Sequence, residues 1–265
     1  MKALIVIPAR YESSRFPGKP LAELTGANGV ARSLIRRSWD AAKAVAGDHD
    51  IYVATDDERI RVPAEAFGAK VVMTSPEARN GTERVAEAFD ALASDADVIV
   101  NLQGDAPLTP PWFVEALIAA FEDPALQVAT PVLRCSPEAL GGFLDDRAAG
   151  RVGGTTAVFD RHCNALYFSK EVIPYTHRRY KSDEQTPVFH HVGVYAFRPA
   201  ALKAYGGWEP GPLEGLEGLE QLRFLENGTP IRCVEVEARG TEFWEVNNPV
   251  DVPRVEAILQ DRGID

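Results

Sequence analysis

The chain has few cysteines and no long apolar run, and both shortages limit what it can be. Cys135, Cys163 and Cys233 stand far apart without a C-x-x-C pair, which argues against a disulfide framework and a thiolate metal cage. A reducing cytosol is the natural compartment. No stretch approaches the roughly 18–20 apolar residues of a membrane span. The opening run 1–8 is too short for a signal peptide, with Arg10 following at once. Basic charge is also in deficit. The chain has 28 Lys and Arg against 39 Asp and Glu, a net charge of −11, so its long-range field repels polyanions and anionic lipid. Neither a nucleic acid nor a membrane is expected as a partner. A G-x-G-x-x-G loop, a Ser nucleophile elbow, a kinase motif set and a zincin motif are all missing, so dinucleotide binding and hydrolase chemistry have no support.

What is present describes a globular protein of 265 residues, 45% hydrophobic and 25% charged, long enough for a sizeable core. Short apolar runs at 4–7, 51–54, 70–73 and 98–102 alternate with amphipathic segments near 30–46, 57–68, 82–94 and 110–122. That alternation predicts an α/β fold with a mostly parallel sheet covered on both faces. Runs at 128–133, 155–159, 165–168, 191–197 and 231–236 have fewer helices between them and predict antiparallel additions; helices resume at 215–227 and 249–262. No linker divides the chain, so one domain over 1–265 is expected, with about 155–200 as a subunit-contact and flap region. The polar segment 174–190 reads as a mobile loop.

Four stretches carry chemistry. Directly after the first strand, Arg10, Arg15 and Lys19 bring three cations to a loop at a strand end, where parallel sheets bind ligands. Phosphate is the fitting ligand, and a solvated basic loop is the plainer reading. The Gly18-Lys19 pair is not a P-loop, because Pro20 stands where Ser or Thr should hold magnesium. The run from Val98 delivers Asp105 to the same edge, either to hold Mg²⁺ beside a triphosphate or to cap the next turn. Asn80-Gly81-Thr82-Glu83-Arg84 reads as a turn feeding a helix, with Thr82 as its N-cap. Finally, His191 and Tyr195 share one strand face, while the adjacent Glu220 and Gln221 reach one ligand only from a helix end or edge. Two adjacent histidines without a third ligand are a weak metal signal; satisfied structural histidines are commoner.

Taken in order, these motifs resemble the 3-deoxy-manno-octulosonate (Kdo) cytidylyltransferases. The resemblance runs from Ile5 to about residue 259. It rests on I-P-A-R-Y-x-S-[ST]-R-x-P-G-K-P-L at 7–21, V-A-T-D at 53–56, G-T-E-R at 81–84 and V-N-x-Q-G-D at 100–105. Later elements are A-L-Y-F-S at 165–169, H-x-G-x-Y at 191–195 and P-L-E…L-E-Q-L-R at 212–223. The resemblance implies a Rossmann-like nucleotidyltransferase fold with a smaller antiparallel dimerisation embellishment, and a cytoplasmic homodimer. The implied reaction is CTP plus an ulosonic acid giving the CMP-sugar and pyrophosphate. Arg10, Lys19 and Asp105 would be catalytic. Ala9, Arg10, Ser13, Arg15, Lys19, Asn80, Gly81, Thr82, Arg84 and Gln103 would bind the nucleotide. Gln103, His191, Tyr195, Glu220 and Gln221 would line the sugar-acid pocket, and Asp105 would bind Mg²⁺.

This chain departs from the family pattern in three places. Ala106 replaces the glutamate of G-D-E-P, so a carboxylate next to the metal is absent. Asn247 stands where the second magnesium aspartate is expected, and its amide oxygen brings no charge. Gly153-Gly154-Thr155-Thr156 replaces N-x-V-K, removing a lysine near the sugar pocket. These changes leave open an acceptor other than Kdo, such as an amino-substituted octulosonate or a nonulosonate. Two competing readings are a nucleotide- or sugar-binding regulatory homologue with weakened catalysis, and a nucleotidylyltransferase for another sugar acid or nucleotide.

Overall fold

The computed structural model describes residues 1–13, 16–152, 154–241 and 243–265. Its strands are β1 (Ala3–Ala9), β2 (Glu23–Thr25), β3 (Ala31–Ser33), β4 (Asp50–Thr55), β5 (Lys70–Met73), β6 (Val98–Leu102), β7 (Val128–Arg134), β8 (Thr156–Phe159), β9 (Ala165–Ser169), β10 (Phe189–His191), β11 (Val194–Phe197) and β12 (Ile231–Val236). Its helices are α1 (Leu34–Lys43), α2 (Glu58–Ala66), α3 (Gly81–Leu92), α4 (Pro111–Ala120), α5 (Pro137–Ala148), α6 (Pro199–Gly206), α7 (Pro212–Glu217), α8 (Leu222–Glu226) and α9 (Val252–Asp261). Among the described residues no helix is long and apolar enough to cross a membrane.

One ten-stranded sheet has the order β5-β4-β1-β6-β11-β7-β10-β8-β9, with β12 also on β7; β2 and β3 form a separate hairpin. As the alternating pattern predicts, β5, β4, β1 and β6 run parallel. β1 is buried along its whole length, and successive residues feed opposite layers. Ile5 and Ile7 pack with Ile35 and Trp39 of α1 and with Phe113 and Leu117 of α4. Leu4 and Val6 pack with Val85 and Ala88 of α3 and with Leu202 and Tyr205 of α6. Burial of each large apolar side chain contributes about 1.5–3 kcal/mol, so helical cover on both faces holds the strands in place.

The antiparallel half extends this same sheet, except that β12, expected as an antiparallel addition, runs parallel to β7. β11 lies antiparallel between β6 and β7, and β10 lies antiparallel between β7 and β8. Residues 189–197 therefore run along β7 as one line, interrupted only at 192–193. The interruption falls at the edge where β1 and β6 end, since Val194 pairs with Leu102.

Several elements differ from the periodicity. Residues 31–33 pair with β2 instead of opening a helix, so α1 starts at Leu34. The expected helix 215–227 divides into α7 and α8 because Gly218 adopts a left-handed φ of 61°. α5 and α6 form where no helix is expected. Gly141 and Gly142 dilute the pattern of α5, and α6 is a short helix opened by Pro199. The expected helix 249–262 begins as a 3-10 turn over Pro249–Asp251 and continues as α9. Segment 174–190 is not all mobile loop: its last two residues open β10, and Thr186 and Val188 are buried, with the Cys135 N–H donating to the Val188 carbonyl at 2.9 Å.

Two tertiary devices position the site. Val255, Ile258 and Leu259 of α9 pack on Leu24, Leu34, Leu108 and Val246, which carries residues 245–247 past the end of β6. Arg223 of α8 is fully buried and joins three elements. It donates twice to Glu214 of α7, at 2.7 Å each, and once to Glu83 of α3 at 2.8 Å. A buried cation with two carboxylate partners fixes the loop between α7 and α8 against the start of α3. Replacing Arg223 by Leu leaves the buried Glu214 without its cation, while Glu83 keeps Arg79 at 2.7 Å, and is expected to destabilise the protein by about 3–5 kcal/mol, read by chemical denaturation.

Candidate active site

The β1 and β6 strands end side by side, and the loops that follow them meet. Gly18, with φ 68°, donates from its N–H to the Tyr11 carbonyl at 2.9 Å and folds the first loop back. Lys19 follows at the start of a 3-10 turn, and its Nζ donates to Asp105 Oδ2 at 2.6 Å across the crevice. Asp105 is delivered by β6 through Gly104, where a Cβ would lie 2.7 Å from the Pro8 carbonyl oxygen. Only glycine allows the two strand ends so close. Ala9 is the buried last residue of β1 and Arg10 is exposed just beyond it. The Ser13 hydroxyl accepts from the Phe16 N–H at 3.3 Å, so it shapes the loop; Arg15 lies outside the described residues.

The N-terminus of α3 forms a second wall. Its cap is Asn80, whose side chain accepts from Glu83 N–H at 2.9 Å, and not Thr82. Thr82 sits one turn position too late, because Gly81 already belongs to the helix. The Thr82 N–H donates to Glu220 Oε2 at 2.9 Å instead. Arg84 is buried; it donates to Thr74 Oγ1 at 2.5 Å and pairs with Asp56 at 3.3 Å. Burial lowers its pKa, the Asp56 and Glu87 carboxylates oppose that, and the Arg10 charge adds to the lowering.

The third wall carries the residues expected to bind a sugar acid. Glu220 and Gln221 occupy the break between α7 and α8, the helix-end position that lets neighbours face one site. Gln103 Nε2 donates to Glu220 Oε1 at 2.8 Å. Behind them, Tyr195 donates to Gln221 Oε1 at 3.0 Å, and both are buried. Gln221 Nε2 and Asn101 Oδ1 are buried without a hydrogen-bond partner. The His191 ring packs 5.0 Å from Phe168 and 5.5 Å from Tyr195, so the shared face predicted for positions 191 and 195 is present. Thr130 gives its one hydroxyl proton to the Val194 carbonyl at 2.8 Å, so His191 Nε2, at 3.0 Å, is the donor to that hydroxyl and Nδ1 is left as an acceptor. Burial and the neighbouring His190 push the His191 pKa down to about 3, giving a neutral ring.

The departures from the family pattern resolve differently. Ala106 is fully buried in the apolar cluster with Phe113 and Trp39, so position 106 faces the core and not Asp105's surroundings. Thr156 is also buried, its hydroxyl given to the Glu171 carbonyl at 2.6 Å; Gly153 lies outside the described residues. Asn247 does lie close by: Val246 N–H donates to the Asp105 carbonyl at 2.9 Å, and Asn247 Nδ2 reaches Glu245 Oε2 at 3.4 Å. Glu245 is the residue that sequence reasoning missed. Its signal was the alternation Trp-Glu-Val-Asn, in which the two polar residues flank the buried Val246. Burial and the Asp105 charge push the Glu245 carboxyl up to about 7, against the opposing pull of Asn247, Lys19 and the Gly193 N–H. Among the described residues no group of three His, Cys, Asp or Glu side chains is arranged to hold a metal unaided.

Similarity to known proteins extends over almost the whole chain. A family model described as cytidylyltransferase matches residues 4–232. A 3-deoxy-manno-octulosonate cytidylyltransferase of Maricaulis maris is 47% identical over 264 residues, covering 99% of both chains. An 8-amino-3,8-dideoxy-manno-octulosonate cytidylyltransferase of Shewanella frigidimarina is 40% identical over 262 residues, 98% of this chain and 99% of its own. A solved CMP:2-keto-3-deoxy-manno-octonic acid synthetase complexed with CTP superposes with a TM-score of 0.82 at 35% identity, covering 99% of this chain and all of that one.

The Glu220 carboxyl yields a pH test. Burial pushes it up to about 7, Glu214 and Asp105 add to the rise, and hydrogen bonds from Thr82 oppose it. A carboxyl raised in the folded state stabilises below its unfolded pKa, near 4.5, and that contribution is lost as pH rises through about 7. Between pH 5 and pH 8 the melting temperature of the ligand-free wild type should therefore fall relative to Glu220→Gln by roughly 5 °C. Parallel curves for the two proteins would contradict this assignment.

Proposed function

Because the chain belongs to the cytidylyltransferase family, a membership that its match to the family model and its relatives establishes, we propose that it transfers CMP from CTP to the C2 hydroxyl of a 3-deoxy-ulosonic acid, Kdo or an amino-substituted relative, and releases pyrophosphate. The observation that carries this reading is the Lys19–Asp105 pair, a cation and a carboxylate facing each other across the crevice between β1 and β6. Such a crevice, beyond the carboxyl ends of parallel strands, suits a nucleotide triphosphate.

In this reading Arg10 and Lys19 bind the phosphates, and Lys19 exchanges its Asp105 carboxylate for a phosphate oxygen when CTP arrives. The start of α3, from Asn80 to Arg84, takes the cytidine side. Ser13 holds the loop, and Ala9 offers backbone. Gln103 and Glu220 receive acceptor hydroxyls, and the unpartnered Gln221 amide and the His191 Nδ1 acceptor support a polyhydroxylated ligand at this wall. Asp105 and Asn247 present hard oxygen donors that fit a divalent cation, and the Lys19 ammonium on Asp105 marks a place where positive charge is wanted. We take the cation to be Mg²⁺; when bound it neutralises the phosphate oxygens that crowd as the acceptor hydroxyl approaches the α-phosphorus. Positioning and charge neutralisation by Lys19, Arg10 and the helix N-terminus then account for most of the rate, without a protein nucleophile.

The reading extends to a cytoplasmic homodimer that activates a sugar for surface polysaccharide or lipopolysaccharide, with one catalytic domain per chain and contact through about 155–200. The exposed Leu166 and Tyr175 in that region support the contact surface.

The decisive measurement is pyrophosphate release with CTP and Mg²⁺ against Kdo, 8-amino-substituted Kdo and sialic-type acids, with UTP and GTP as nucleotide controls. Turnover with CTP and one acid is expected, and Lys19→Ala should lower kcat by about 100-fold or more. Preference for UTP or GTP would overturn the reading. CTP binding without turnover on any acid would favour a regulatory homologue.

A further inference from the structure

The site as described gives a divalent cation one carboxylate, Asp105, and a neutral amide, Asn247. A hard cation held mainly by neutral donors binds weakly, and CTP-bound Mg²⁺ brings the negative charge of its phosphates with it. The neighbourhood of Asn247 nonetheless holds a second carboxylate. Val246 turns into the apolar cluster of Leu24, Leu34 and Val255 while its N–H donates to the Asp105 carbonyl at 2.9 Å. Its two neighbours, Glu245 and Asn247, meet on the other side, carboxylate to amide at 3.4 Å.

The rest of the surroundings hold Glu245 towards the crevice. Gly193, at the interruption between β10 and β11, makes room for it: a Cβ there would lie 2.9 Å from Glu245 Oε1 and 3.8 Å from Gln103 Cγ. Glu245 thus lies over the strand interruption, in the space that a side chain at Gly193 would take, and Gln103 borders the same glycine. No Arg or Lys donates a hydrogen bond to it among the described residues. Glutamate is one methylene longer than aspartate, which suits a ligand displaced along the chain.

We propose that Glu245 supplies the second carboxylate for the divalent cation, replacing from the preceding polar position the charge that Asn247 lacks. Asn247 then orients Glu245 through its amide. This inference rests on the function proposed above, but it concerns which side chain of this chain carries the charge.

The test uses Mn²⁺ as the probe, titrated by its electron paramagnetic resonance signal into the full-length protein with CTP and without acceptor, so that no turnover is needed. Four proteins are compared: wild type, Glu245→Gln, Asn247→Asp and the double variant. Glu245→Gln should weaken Mn²⁺ binding at least about tenfold, while CTP binding without metal stays near wild type. Adding Asn247→Asp to Glu245→Gln should restore Mn²⁺ affinity, because a carboxylate returns to the same small region. Equal Mn²⁺ affinity in wild type and Glu245→Gln would overturn the proposal. So would a loss that Asn247→Asp fails to repair, since Glu245 would then act through local structure. Failure of the wild type to bind CTP at all would instead remove the proposed function, and this inference with it.

Discussion

The parallel pairing of β1 with β6 is the constraint on which the rest of the site depends. It aligns Ala3–Val6 with Val98–Asn101 and so ends two strands at one edge, with the loop to Lys19 on one side and Asp105 on the other. Because both strands are buried on two faces by apolar side chains, neither slides without exposing a layer of the core. The close approach at Gly104 removes the remaining freedom between the strand ends. A salt bridge at 2.6 Å between residues far apart in sequence is thus a product of sheet register.

Around that pair the site is rich in acid. Glu220, Glu245 and Asp105 line the crevice proposed here for a negatively charged nucleotide and a sugar acid, in a protein that is itself net negative. Two of the three carboxyls are pushed towards neutrality, which is how a fold tolerates such crowding before any cation arrives. The arrangement suits a substrate that brings its own metal and a lysine that changes partners. By contrast, the acids bonded to Arg223 are neutralised permanently and serve only to fix the walls.

The parallel half of the fold was legible because its strands appear as short continuous apolar runs, fully buried in β1 and β6 and less so in β4 and the edge strand β5, and all four are found where such runs fall. The motif residues were legible because loops at strand ends keep distinctive polar sequences. Elements governed by tertiary context were not. The pairing of β3 with β2 overrides a helical pattern, and Gly218 breaks a helix whose leucines continue on both sides. The Asn80 cap and the Thr82–Glu220 bond needed the chain's three-dimensional path, because the partners are distant in sequence. Glu245 went unnoticed for a related reason. A comparison made position by position finds a missing aspartate at 247 but does not look for its charge at 245.

The line of residues 189–197 along β7 has a consequence for how this protein can change. His191 ends β10 and Tyr195 lies in β11, with Gly193 in the interruption between them, and β7 pairs with both strands. The interval from the histidine to the tyrosine therefore works as a ruler laid across the wall proposed for the acceptor. Side chains along it can be exchanged to suit a differently decorated sugar, provided the count of residues is kept. An insertion or deletion of a single residue within β10 or β11 would turn that strand's side chains over to the opposite face of the sheet. New specificities in this scaffold should thus arise by substitution within a fixed length, with changes in length confined to loops beyond the sheet.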